Sequence, residues 1–228
     1  MNKQPIPYNL IYSDRRGATL RVNRDGRVEV RAPRGMPRSE IERFVNAHRD
    51  WIERNLARIL PRAEAKAAFK VDYGSALRLL GHTFPLAARD GTRAGFDGSC
   101  FFAPPGLQSE RLQQVCVNTY RRYAADHIPK RVTYFAEIMH AHYDGVKINS
   151  AKARWGSCSG KCGLNFSWLL IMAPPEVVDY VVVHELSHTF EHNHSDRFWA
   201  VVERALPDWR QREAGLKPLQ EQLATENW

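Results

Sequence analysis

The sequence predicts an α+β protein with a β-rich amino-terminal region and a helix-rich carboxy-terminal half. Alternating apolar residues in residues 18–32 indicate a hairpin. Helical periodicity dominates from Ser109 onward, and two short strand-like stretches interrupt it between residues 146 and 174. We place the boundary between the two regions near residue 105. Residues 1–105 then form the amino-terminal region, and residues 106–228 form the second domain.

The amino-terminal region begins with clear sequence signals for a hairpin turn and for the start of a helix. Leucine and valine alternate on both sides of Asp25-Gly26, a pair that accepts the positive φ of a hairpin turn. Ser39 and Glu42 have the spacing of a capping box, and apolar residues at helical spacing continue to about residue 60. We therefore expect one helix over residues 39–60. Glycine and aspartate turns then separate short strands in residues 76–105.

The carboxy-terminal half alternates between helices and strands. Helical periodicity from Ser109 meets Pro129, which should break or restart the helix, and Gly145 is a suitable helix end. The stretches 146–157 and 163–174 have strand-like composition, and apolar and polar residues alternate in the second of them. A further helix should begin at Pro174-Pro175, because proline is tolerated in a first turn.

Composition limits the possible environments and partners. The chain has 33 basic and 25 acidic residues, a net charge of +8, and 43% hydrophobic residues, which argues against disorder. No export signal is readable, and the longest nearly uncharged stretch is too short for a membrane span. We therefore expect a cytoplasmic, soluble protein whose four cysteines stay reduced. The basic surplus leaves room for a polyanionic partner, although no nucleic-acid-binding motif is present.

Four of the nine histidines fall within residues 184–194, and their spacing favours a metal site. His184 and His188 are four residues apart on the predicted helix, so both imidazoles point to one side and reach one ion. Glu185 lies about 100° around the helix from His184, where it can hold a metal-bound water without being a ligand. A plain helix with surface histidines is the alternative interpretation.

A catalytic zinc requires three protein ligands and an open position, so a third ligand is needed. His194, His192 and Glu191 compete for this role. We favour His194, because Asn193 suits a left-handed helix end and Ser195 can cap a new helix. The chain would then reverse and return His194 to the first helix. Glu191 would lie in line with His184 and His188 along the helix axis. Three ligands in one line do not give good tetrahedral coordination, so we rank Glu191 low.

The stretch Arg154–Trp199 resembles the YgjP-like metallopeptidases, relatives of the SprT and WLM-type zincins. The resemblance is carried by RWGSC at 154–158, LNFSW at 164–168, the DYVVVHELSH helix segment at 179–188, and NHS at 193–195. It implies zinc on His184, His188 and His194 with Glu185 as the catalytic carboxylate. It also implies a zincin-like core of helices and a small sheet, with an edge strand beside the cleft and a small β-rich domain in front.

The resulting hypothesis is a zinc-dependent peptidase in which a zinc-bound water, activated by Glu185, attacks a peptide carbonyl. Two alternatives stay open: the same site hydrolysing a nucleotide or other phosphoanhydride, and a non-catalytic nucleic-acid or protein-binding module with a structural metal. Tyr180, one turn before His184, could line or brace the site, and Asp179 could hydrogen-bond a ligand imidazole and so orient it. We expect Arg154, Trp155 and Ser157 to shape the cleft, and we assign no role to Cys158 or Cys162.

Overall fold

The computed structural model describes residues 4–228, and their contacts divide the chain into two compact units. One unit runs to Phe69 and includes residues 224–227, and the other consists of Lys70–Leu223 and Trp228. The combination of helices with small sheets confirms the α+β class. The boundary near residue 105 stays a prediction, because compactness does not define where a metal-binding domain begins. Within residues 4–228, no helix is both long and apolar enough to cross a bilayer.

The first unit contains a three-stranded sheet. Its strands are β1 (Asn9–Ser13), β2 (Thr19–Val22) and β3 (Val28–Pro33), in the order β1-β3-β2. The predicted hairpin is confirmed, since β2 and β3 pair antiparallel and Gly26 in the turn has a φ of +81°. β1 adds parallel to the other side of β3. Alternate residues of the sheet, among them Val28, Val30 and Ala32, enter the core of the unit.

Two helices replace the single helix predicted over residues 39–60. They are α1 (Arg38–Ala47) and α2 (Arg49–Ala68), with His48 between them at φ −102° and ψ 12°. The Nδ1–H of His48 donates to the Phe44 carbonyl oxygen, so a side chain competes with the backbone where the helix is interrupted. The prediction of a capping box at Ser39 and Glu42 was also wrong, because α1 begins one residue before Ser39 and its N-cap is Pro37.

The second unit contains two further small sheets. The first has the order β4-β5-β7-β6, and the second has the order β8-β10-β9. In the second sheet, β10 pairs parallel with β8 and antiparallel with β9, which leaves β9 at an edge. The strands are β4 (Ala76–Leu79), β5 (His82–Ala88), β6 (Gly95–Phe96), β7 (Phe101–Ala103), β8 (Val146–Asn149), β9 (Gly156–Cys158) and β10 (Leu164–Ser167).

A 31-residue helix, α3 (Ser109–Met139), forms the main support of the second unit. It continues through Pro129, where the sequence predicted a break. Buried residues on both sides, including Ile128 and Val132, hold the turns around the proline by packing. The helix ends at His140, which adopts a left-handed conformation, and Gly145 lies in the following turn instead of capping the helix.

Four shorter helices complete the second unit: α4 (Pro175–Ser187), α5 (Asp196–Ala205), α6 (Trp209–Ala214) and α7 (Leu216–Leu223). Strand β10 ends at Ser167, and residues 168–172 form a buried 3-10 helix instead of continuing the predicted strand. The Ser167 side chain accepts a hydrogen bond from the Leu169 N–H, which caps this helix. The stretch predicted as one strand over residues 146–157 contains two strands, β8 and the start of β9, and the strand predicted over residues 163–174 is correct in type but too long.

A partly buried ion pair joins α3 to α4. Arg131 Nε and Nη2 donate to the two carboxylate oxygens of Asp179 at 2.6 and 2.9 Å, and Arg212 lies 3.8 Å from the same carboxylate. The Asp179 side chain is 13% exposed, so most of its hydration has been replaced by these guanidinium groups.

We expect Arg131→Ala to lower the free energy of unfolding by about 2 kcal/mol, because it leaves a buried carboxylate with one weaker partner. Lys130→Ala is the matched control: its ion pair with Asp126 on the same helix is exposed, and its loss should change the free energy of unfolding by less than about 0.5 kcal/mol. Denaturant unfolding of both variants measures the difference. Equal effects would show that the Asp179 pair does not hold the two helices together.

Candidate active site

Helix α4 is the element that positions the histidine cluster. Ten of its thirteen residues are buried, including five valines. Its packing partners are α3, α5, α6 and β9. His184 lies in its last turn, and His188 is its C-cap residue at the point where the chain leaves the helix. The predicted helix is thus present, and it places two imidazoles at its carboxy-terminal end.

The structure brings His184, His188 and His194 together. One ligand nitrogen from each residue lies within 4.8 Å of the other two, and the Nε2 atoms of His184 and His194 are 3.1 Å apart. Two nitrogens bound to the same tetrahedral zinc at about 2.05 Å would lie about 3.3 Å apart. The histidine geometry therefore fits one divalent ion with only small adjustments.

The protonation states of these histidines also suit coordination. The Nδ1–H of His188 donates to the Glu191 carbonyl oxygen at 3.0 Å, which leaves its Nε2 unprotonated for a metal. Burial, with help from His188 and His194, lowers the pKa of His184 to about 4. Burial likewise lowers the pKa of His188. Both rings are thus neutral at physiological pH, which is the form that binds a metal.

The loop between α4 and α5 returns His194 to the cluster by a different device from the one predicted. Asn193 does not adopt a left-handed conformation; its side-chain oxygen accepts a hydrogen bond from the Ser195 N–H instead. Ser195 is the N-cap residue of α5, although its side chain makes no capping hydrogen bond. The chain reversal was predicted correctly, whereas its local chemistry was not.

Phe198 is a site residue to which the sequence reasoning assigned no role. It is fully buried in α5, and its ring lies 4.9, 4.5 and 4.8 Å from the rings of His184, His188 and His194 respectively. It forms an apolar backing that keeps water from one side of the cluster. The available signal was its spacing, since it follows His194 by four residues at the start of an amphipathic helix.

Glu185 is buried against the backbone of β9. A Cβ atom added to Gly156 would lie 2.6 Å from both Cγ and Oε1 of Glu185, so only glycine allows this approach. Burial raises the pKa of Glu185 to about 7, and the nearby Arg154 opposes the shift. The Glu185 carboxyl group is thus held against the backbone of the edge strand β9, and its pKa suits general acid–base chemistry.

The remaining candidates fall outside the histidine cluster. His192 is exposed, and Glu191 contributes its backbone carbonyl to His188. Among residues 4–228, the group of ligand atoms that could hold a metal includes neither residue, nor Cys158 or Cys162. Burial raises the pKa of Cys158 to about 11, with smaller contributions from Cys162 and Glu185. This thiol is therefore protonated and unreactive.

Tyr180 and Asp179 hold α4 in place next to the histidine cluster. The Tyr180 hydroxyl donates to Glu213 at 3.0 Å, and its ring meets that of His184 edge-on at 5.9 Å. Tyr180 also stacks on Trp209, and only 3% of its surface is exposed. Asp179 uses both oxygens on Arg131, so the suggestion that it orients a ligand imidazole is wrong.

Comparisons with known proteins identify the family to which the chain belongs. Residues 16–218 match the family model described as YgjP-like, metallopeptidase domain. A search of curated proteins returned no match. Two solved structures share 20% sequence identity with the chain: the metallopeptidase zymogens abylysin of Pyrococcus abyssi and jannalysin of Methanocaldococcus jannaschii. The matches cover 41% and 42% of this chain and 95% and 98% of those chains, with TM-scores of 0.39 and 0.37.

The family match covers most of the chain and defines its class as a metallopeptidase, a metal-dependent hydrolase. The protein belongs to the YgjP-like metallopeptidase family. The resemblance carried by the RWGSC, LNFSW and histidine motifs is confirmed.

We expect Gly156→Ala to reduce hydrolysis by about 100-fold while bound metal is retained, because the new methyl group displaces the Glu185 carboxylate but touches no histidine. Gly160→Ala is the control, since a Cβ there meets nothing within 4 Å in the same hairpin. Turnover and metal content of both variants should be compared. Full activity in Gly156→Ala would show that Glu185 does not need this position.

Proposed function

We propose that the protein is a zinc-dependent peptidase in which His184, His188 and His194 hold the ion and Glu185 is the general acid–base. The observation that carries this proposal is the convergence of one ligand nitrogen from each of the three histidines within 4.8 Å, next to a carboxyl group buried at the sheet edge. When bound, zinc supplies Lewis-acid chemistry that polarises a carbonyl oxygen and makes a water molecule more acidic.

The choice of zinc rests on the donors. Three imidazoles without a thiolate or a second carboxylate match the three-ligand sites that keep a position open for substrate. Nitrogen donors also disfavour magnesium and calcium, which prefer oxygen. The half-buried surroundings of His184 and His188 and the apolar backing from Phe198 exclude water from the ligands, and exposed His194 lies on the open side.

Glu185 has the position and the proton affinity of a general base. Its neighbour in sequence is a ligand, yet the helix turns its own side chain about 100° away, toward β9. A pKa near 7 lets it accept a proton from an attacking water and then donate it to a leaving amine. Because Gly156 holds the carboxylate closely, little reorganisation accompanies these two transfers.

The edge strand favours an extended peptide as the substrate. Within the described chain, β9 pairs on one side only, with β10, so its other edge has free backbone donors and acceptors. A peptide added there as a further strand would lie next to the Glu185 carboxylate. Backbone pairing of this kind recognises the peptide main chain more than any particular side chain.

Metal content tests the ligand assignment. We expect near-stoichiometric zinc in the wild type, loss of zinc in His184→Ala and His194→Ala, and retention in Glu185→Gln with activity reduced by about 1,000-fold. His192→Ala is the matched control, because this exposed imidazole lies outside the cluster. Zinc retained in His194→Ala but lost in His192→Ala would reassign the third ligand. A wild type that binds no added zinc would refute the proposal.

Substrate class requires a separate experiment. The zinc-loaded protein should cleave an unfolded protein, and a chelator should stop the cleavage. Nucleoside triphosphates incubated under the same conditions should stay intact, and Glu185→Gln should cleave the unfolded protein about 1,000-fold more slowly than the wild type. Chelator-sensitive release of phosphate or pyrophosphate without peptide cleavage would show that the site hydrolyses phosphoanhydrides instead of peptides.

A further inference from the structure

The positive charge of the protein is concentrated in its first unit. Residues 4–69 contain 14 basic and eight acidic side chains, a net charge of +6, against +8 for the whole chain. The histidine cluster and Glu185 lie in the second unit, in sequence more than 100 residues later. None of these basic residues has a role in the proposed hydrolysis as derived above.

Five of these 14 basic residues pair with a carboxylate, and four of the other nine share one face of α2. Arg27, Arg31, Arg34 and Arg38 each pair with a nearby carboxylate. In the part of the chain that the structure describes, four cations of α2 form no ion pair. They are Arg54, Arg58, Arg62 and Lys66, which follow one another at intervals of four residues. We call this group the α2 basic stripe.

The α2 basic stripe is unfavourable for the helix itself. Residues four apart on a helix are neighbours, and like charges at this spacing repel each other. The stripe repeats this repulsion three times within an arc of about 120°, while the three acidic residues of α2 lie on the remaining arc. The helix dipole favours Lys66 in the last turn but gives the three arginines no such stabilisation, and a polyanion that neutralises all four cations would relieve the repulsion.

The surroundings of the stripe indicate which polyanion fits. Trp51 lies in the middle of the same arc, and 41% of its surface is exposed. The three arginines are exposed, and the paired N–H donors of their planar guanidinium groups suit phosphate oxygens. The stripe is about 18 Å long, enough to follow several consecutive phosphates of one strand. An exposed tryptophan among phosphate-binding groups provides a surface on which an unpaired base stacks.

An anionic membrane fits this face less well. A helix that lies in a membrane surface needs a broad apolar face free for the lipid. The apolar side of α2 is already used, because Ile52 is fully buried and Leu56 packs against the core of its own unit. Phosphate recognition without an available apolar face favours a nucleic acid.

We propose that the Trp51 face of α2, with Arg54, Arg58, Arg62 and Lys66, binds single-stranded nucleic acid. The phosphates contact the four cations, and a base stacks on Trp51. This binding surface is independent of the proposed peptidase site, and either assignment can fail without the other.

The experiment measures the anisotropy of a labelled 20-nucleotide single strand bound to the full protein over a range of salt concentrations. Arg58→Gln/Arg62→Gln should reduce the slope of log affinity against log salt by about 1.4, since each lost phosphate contact removes about 0.7. Arg27→Gln/Arg38→Gln removes the same charge from paired arginines and should change the slope by less than half as much. Trp51→Ala should weaken binding about tenfold at constant salt slope.

The α2 variants should remain folded, because removal of like-charge neighbours relieves repulsion; thermal unfolding verifies this. Equal losses in the two double variants would overturn the assignment to α2. A duplex of the same length that binds as tightly, with no effect of Trp51→Ala, would overturn the single-strand assignment. Absence of binding at low salt, or binding to anionic vesicles alone, would overturn nucleic-acid recognition. Peptide hydrolysis by the α2 variants should match the wild type.

Discussion

The site depends on the burial of α4. Five valines make this helix a poor one by intrinsic propensity, since each β-branched side chain loses rotamer freedom in a helix. Tertiary packing must therefore hold it, and buried side chains on nearly every face show that it does. A helix held on nearly every side cannot rotate or slide. For that reason, the histidines at its carboxy-terminal end keep a fixed separation.

Complete burial creates a second constraint, because the polar groups of α4 must find partners. Asp179 is neutralised by Arg131, the Tyr180 hydroxyl donates to Glu213, and the Ser187 hydroxyl donates to the Val183 carbonyl. His184 differs from these residues: its Nδ1 is buried without a hydrogen-bond partner among the described residues. A buried imidazole whose other nitrogen meets His194 is costly in a purely structural helix. Under the proposed assignment, coordination of an ion by Nε2 would compensate for part of the hydration that this imidazole loses on burial.

The sequence predicts local features of this protein better than contacts between distant segments. The hairpin around Gly26 and the α4 helix follow from turn chemistry and periodicity, and the four-residue spacing of His184 and His188 follows from helix geometry. The approach of Gly156 to Glu185 joins segments 29 residues apart, and no periodic pattern encodes it. The same holds for Arg131 and Asp179, 48 residues apart. Pro129 was misread because burial around it outweighs its local effect.

Folding explains the position of Arg131 in the second unit but does not explain the α2 basic stripe in the first. Arg131 is explained by folding, because a buried carboxylate requires it. The α2 basic stripe has no such partner among the described residues, and its repeated spacing opposes helix formation. A folded protein tolerates a locally unfavourable arrangement when the rest of its unit supplies enough stability, and the buried core around Ile41 and Ile52 does so for α2. A charge pattern that costs stability and answers no structural need therefore points to a function outside the fold.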